Sequence, residues 1–170
     1  MTVERTSILI HPKTGERTFI LIDTNVLVYA YDPSDVAKQQ RAQQVVGIVS
    51  DGAGVLSVQV LSEFYWTVTR KIQPPLSSER AARSVENYLR SWSVLDLTRA
   101  VVAEAVRGAG RLRLPYWDAL IWATAKLNQV PLVLSEDFAD GAFLEGVRFM
   151  NPFSPTFVRF LEGGASGGHD

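Results

Sequence analysis

Apolar residues recur along this chain in two rhythms, short unbroken runs and amphipathic stretches, and the two alternate over most of its length. Thr18 to Ile22 is β-branched and apolar, too short for a helix. It reads as a buried first strand ending at Asp23-Thr24-Asn25, whose side chains can cap backbone amides. From Asp35 to Ser50, Val36, Ala42, Val45, Val46 and Val49 fall at helical spacing among Lys38, Gln39, Gln40, Arg41 and Gln43, and Asp51-Gly52 stops the helix. Gly54-Val55-Leu56 is a second strand. Ser57 caps a helix reaching about Ile72, Gln73-Pro74-Pro75 breaks it, and Ser77 or Ser78 starts another that ends near Ser91. Val94 to Leu97 reads as a third strand. Thr98 caps a helix through Val106 that Gly108 and Gly110 end, and Pro115 opens a helix through Leu127. Val130 to Leu134 and Val147 to Met150 are the fourth and fifth strands.

Strands alternating with helices predict a three-layer α/β/α domain around a mainly parallel, about five-stranded central sheet. At 170 residues, 46% of them hydrophobic, the chain suits one such domain with a full core. The core of the pattern spans residues 18–153. Residues 1–17 read as an N-terminal extension or an edge hairpin, Ser7 to Ile10 with a turn at His11-Pro12-Lys13-Thr14-Gly15. Residues 154–170 form a C-terminal extension ending in a flexible Gly-rich tail.

Composition narrows the chemistry. With no cysteine, thiolate catalysis, disulfides and Cys-ligated zinc are excluded. The two histidines, His11 and His169, sit in terminal segments, which argues against a Ser-His-Asp triad. A net charge of -1 gives no bulk attraction to nucleic acid, so polyanion binding requires a local basic surface. No stretch approaches the roughly 20 apolar residues of a membrane helix, and a cytoplasmic protein with no membrane partner is expected. No Gly-rich phosphate loop or dinucleotide fingerprint follows a strand.

What remains is acidic. Asp23, Glu63, Asp118 and Asp137 each stand where an apolar strand gives way to a helix or where a helix begins. Each has a structural explanation alone: Asp23 an Asx cap, Asp118 a complement to the helix dipole, Asp137 a turn residue. Glu63, among Val60, Leu61, Phe64 and Val68 on a largely apolar helix, calls for a metal or a charge partner. In a parallel sheet these positions converge at the carboxyl ends of the strands, where such folds bind ligands. Carboxylates brought together without a cation repel one another, and a hard divalent metal is the natural counter-charge.

Ile22-Asp23-Thr24-Asn25, Ser57 through Glu63-Phe64, Trp117-Asp118-Ala119-Leu120 and Ser135-Glu136-Asp137-Phe138 together resemble a PIN domain. The resemblance is closest to VapC-type ribonuclease toxins and runs from about Phe19 to Phe153. It implies a Mg²⁺- or Mn²⁺-dependent endoribonuclease in which Asp23, Glu63, Asp118 and Asp137 match the acidic quartet, with Asp140 as a fifth acid. Asp23 and Asp118 are expected to hold the principal ion, Glu63 to bind it or orient a water, and Asp137 to complete the site. Asn25 and Ser135 match the polar helpers around the ligands. Arg99, Arg107, Arg111 and Arg113, with Trp117, are candidate RNA contacts. The resemblance further implies a small protein antitoxin, expected over Tyr65, Trp66 and the Pro74-Pro75 break, and a homodimer. Two other readings share these residues: a PIN-like RNA-binding or scaffold module without catalysis, and a PIN nuclease of general RNA processing.

Overall fold

A computed structural model describes residues 18–50 and 52–157; the N-terminal hairpin and the Gly-rich tail expected above lie outside the described residues. Six strands form one sheet: β1 (Ile20–Ile22), β2 (Gly54–Ser57), β3 (Ser93–Leu95), β4 (Leu132–Leu134), β5 (Phe143–Leu144) and β6 (Val147–Met150). Their order is β3-β2-β1-β4-β6-β5, and every pair is parallel except β5 with β6. The mainly parallel sheet is as expected, with a sixth strand added. Two residues carry no readable period, and β5 exists because Glu145 (φ +45°) and Gly146 (φ +92°) make a two-residue turn that folds it back on β6.

The helices are α1 (Thr24–Tyr29), α2 (Val36–Val49), α3 (Val58–Arg70), α4 (Ser78–Ser91), α5 (Arg99–Arg111) and α6 (Tyr116–Leu127). Side-chain caps start five of them. Asp23, Asp35, Ser57, Ser77 and Thr98 accept the amides of Thr24, Lys38, Val60, Arg80 and Val101. Helix α1 is not expected from the sequence, because six residues span less than two turns and Val26-Leu27-Val28 looks like a strand.

The steps from β1 to β2 to β3 run one way across the sheet, so right-handed crossovers place α1 to α4 on one face. The return from β3 to β4 places α5 and α6 on the other. Packing follows this division: α1 contacts α2 and α3, α3 contacts α4, and α5 contacts α6. Every residue of β1, β2 and β4 is buried, as strands covered on both faces must be. The order reverses between β1 and β4, which makes the crevice at their carboxyl ends the switch point where open α/β sheets bind ligands.

Helix α5 does not stop at Gly108 and Gly110 but continues to Arg111. Glycine at 108 answers a packing demand instead of ending the helix. A Cβ there would lie 2.6 Å from Cζ3 of Trp122, a fully buried ring whose Nε1 donates to the Leu144 carbonyl at 3.2 Å. A Cβ at Gly110 would meet nothing within 4 Å. The two glycines therefore respond oppositely to alanine. Overpacking against Trp122 costs about 1–3 kcal/mol and outweighs the roughly 1 kcal/mol that alanine gains in a helix. Gly108→Ala is expected to lower the midpoint of thermal unfolding by several degrees and Gly110→Ala to raise it slightly, both read by circular dichroism.

Candidate functional site

Asp23 closes β1 and performs two tasks. As the N-cap of α1, its Oδ1 accepts the Thr24 amide at 2.6 Å, and its Oδ2 accepts the Ser135 hydroxyl at 2.6 Å. The ends of β1 and β4 are thereby tied together. Ser135 Oγ also accepts from Asn25 Nδ2 at 3.2 Å and from the Asp137 amide at 3.1 Å, which fills one donor and two acceptor places of a hydroxyl. Asn25 Nδ2 donates in addition to Asp137 Oδ2 at 2.9 Å. Asn25 and Ser135 thus form a bridge between Asp23 and Asp137.

The other two acids come from the helices that flank the switch point. Glu63 lies midway along α3; its Oε2 accepts the Thr24 hydroxyl at 2.9 Å and its Oε1 accepts Gln59 Nε2 at 2.9 Å. Asp118 lies in the first turn of α6, where its carboxylate receives no hydrogen bond among the described residues. The structure brings all four into one electrostatic neighbourhood. Burial pushes the Asp23 carboxyl up to about 7, opposed by its bonds from Ser135 and Thr24, and repulsion from Asp137 and Glu63 pushes it further. Asp118 is raised by burial first, then by Asp137 and Glu63.

Among the described residues, no lysine or arginine forms an ion pair with any of the four. Lys38 is held by Glu136 and Tyr29 instead. An open cleft of about 810 Å³ is lined by Glu63, Asp118 and Asp137, with Gln59, Trp66, Lys71, Leu97 and Trp117 around them. Asp23 lies buried, with 5% exposure. As they stand, no three of these carboxylates close around a single ion position. The donor set is nonetheless oxygen only, acidic and without a compensating cation among the described residues, and that chemistry fits a hard divalent ion.

Several expectations need correction. Asp140 is not part of the cluster: its Oδ1 accepts the Asn151 amide at 2.9 Å and it does not line the cleft. Arg107 is committed to Glu104 and Glu145 in a network shared with Lys126, and the two cations lie over the Trp122 ring. Its charge is already spent. Arg99, Arg111 and Arg113 are exposed but do not line the cleft, whereas Trp117, 64% exposed, does. Glu63 is half-buried rather than surrounded by core, and its partners are neutral donors rather than a charge. Gln59 and Thr24 were not foreseen as site residues. A polar residue four positions before Glu63 on one helix was the available signal for Gln59.

The PIN domain family model matches residues 20–139, and the chain belongs to that family. Solved structures with this fold include a toxin-antitoxin complex from Klebsiella pneumoniae, 17% identical, covering 79% of this chain and 98% of that one at a TM-score of 0.59. DNA-bound VapBC from Salmonella typhimurium is 15% identical, with coverage of 79% and 98% and a TM-score of 0.59. VapC20 of Mycobacterium tuberculosis, a sarcin-ricin loop cleaving toxin, is 19% identical, with coverage of 76% and 98% and a TM-score of 0.56. Among curated proteins none matches by sequence. No helix among the described residues is long and apolar enough to cross a membrane.

The raised Asp23 carboxyl makes stability depend on pH in a definite direction. Its folded-state value near 7 exceeds the ordinary 3.8, so between these values the folded state holds the extra proton. Its contribution is favourable at low pH and is lost as pH rises through 7. In EDTA, Asp23→Asn should gain stability over the parent between pH 5 and pH 8, by an amount on the order of a few kcal/mol. Denaturant unfolding at a series of pH values measures the difference. Parallel profiles for the two proteins would place the titration elsewhere.

Proposed function

We propose that this protein is a metal-dependent endoribonuclease and the toxin of a toxin-antitoxin pair. The observation that carries the reading is the convergence of Asp23, Glu63, Asp118 and Asp137 at the switch point of a PIN fold without a basic partner. Asp23 and Asp118 would hold Mg²⁺ or Mn²⁺, with Glu63 and Asp137 completing the site directly or through water. When bound, such an ion would supply a nucleophilic water at neutral pH and relieve charge on the departing oxygen.

The chain's own residues prepare for this. Ser135, Asn25 and Thr24 hold three of the acids in place with neutral donors, so the carboxylates are oriented without losing the negative charge that attracts the cation. Trp117 and Trp66, 64% and 47% exposed, line the cleft with Lys71. Indole faces that stack on bases beside a cation for a phosphate suit a single-stranded segment of RNA.

A second groove, of about 710 Å³, runs between α3 and α4 and is lined by Val58, Leu61, Tyr65, Trp66, Val85 and Leu89. It is the surface proposed for the apolar face of a small antitoxin, a partner of the kind found in the toxin-antitoxin complexes of the same fold. Tyr65 and Trp66 line it as expected, but Pro74 and Pro75 do not.

RNA cleavage should require Mg²⁺ or Mn²⁺ and vanish in excess EDTA, and a gel assay in which cleavage survives chelation would refute the proposal. Asp118→Asn, which weakens a ligand at constant volume, should lose at least ~100-fold in kcat with an unchanged circular dichroism spectrum. Trp117→Ala should act differently, raising KM for RNA several-fold with kcat largely retained. Equal losses in kcat and kcat/KM would instead place Trp117 in the transition state.

A further inference from the structure

Gln59 is 95% buried by its 5% exposure, yet half of its amide is unsatisfied. Its Nε2 donates to Glu63 Oε1 at 2.9 Å and to the backbone carbonyl of Trp117 at 3.2 Å, while its own Oε1 is buried with no partner among the described residues. The orientation is not arbitrary. Turning the amide over would bring its oxygen against a carboxylate and a carbonyl, two acceptors, and would take from Glu63 one of its two donors. An amide held with its oxygen orphaned, in a place where an apolar side chain of equal size would carry no such penalty, indicates that its two donated bonds matter.

Those bonds join the two helices that bear acids. Glu63 is on α3, four residues from Gln59, and Trp117 is the residue before Asp118 in the first turn of α6. We propose that Gln59 is a positioning residue that spaces α3 from α6 and aims the Glu63 carboxylate, so that Glu63 and Asp118 present their oxygens to one divalent ion. The inference rests on the metal-centre reading above and adds a residue that acts through Glu63 and the start of α6. A purely structural role would stabilise the fold and leave metal affinity untouched. A positioning role weakens the ion's site in a protein that remains folded.

Gln59→Met keeps volume and burial but has no donor, and Gln59→Asn keeps an amide one methylene too short to reach both acceptors. The Mn²⁺ dissociation constant of the metal-stripped, RNA-free protein is measured calorimetrically for the parent and both variants. Thermal midpoints in EDTA, kcat and KM are measured beside it. Gln59→Met is expected to bind Mn²⁺ about 10- to 100-fold more weakly. Its midpoint in EDTA should stay within a few degrees of the parent's. Its kcat should fall at low Mn²⁺ and recover at high Mn²⁺, with KM for RNA unchanged, a rescue that a folding defect would not show. Gln59→Asn should fall between, and it decides the matter should Gln59→Met not fold. Parental Mn²⁺ affinity in a folded variant would overturn the role of Gln59 and leave the metal centre standing. A parent protein that binds no Mn²⁺ would overturn both.

Discussion

Four carboxylates gathered at one end of a parallel sheet repel one another, and much of the local structure can be understood as a way of holding them there. The holding groups are neutral: the hydroxyls of Ser135 and Thr24, the amides of Asn25 and Gln59, and the backbone N–H of Thr24. A lysine or arginine would hold an acid more strongly, but it would cancel the charge that, in the proposed function, draws a cation. Burial opposes these donors. Asp23, deepest of the four, is pushed to a carboxyl value near 7, so that in the absence of a cation its charge is itself costly. The site is thus an acidic pocket in which Asp23, Glu63 and Asp137 are each held by neutral donors.

The rest of the fold supports that pocket. β1 and β4 are buried on both faces and adjacent, so the ends that carry Asp23 and Ser135 have no freedom to part. On one face, Gly108 lets α5 approach the buried ring of Trp122 on α6, which seats the helix whose first turn bears Asp118. Glu104, Arg107, Lys126 and Glu145 join α5, α6 and the β5–β6 turn over that ring. Single surface ion pairs stabilise little, but this one is a network packed on an indole, and it serves the scaffold instead of the cleft.

Much of this was legible in the residues themselves. Capping side chains at Ser57, Ser77 and Thr98 marked helix starts correctly because their chemistry is local. Strand runs ending in acids revealed the alternation and, with it, the sheet and its carboxyl edge. What escaped depended on tertiary partners. Gly108 read as a helix stop because nothing local announces Trp122 across the interface. Arg107 read as an RNA contact because Glu145 lies 38 residues away in sequence. Asp140 was expected as a fifth acid from the family resemblance, but its carboxylate is used at the Asn151 amide. Gln59 stood in view beside Glu63, yet only the carbonyl of Trp117 shows why an amide belongs there.

Whether the acids form a metal centre is settled most directly by anomalous diffraction from crystals soaked in Mn²⁺. The metal-centre reading predicts a peak between the carboxylates of Asp23 and Asp118, within about 2.0–2.5 Å of an oxygen of each, and the loss of that peak in Asp118→Asn. An ion bound elsewhere on the protein, or no peak at this cluster at saturating Mn²⁺, would contradict it.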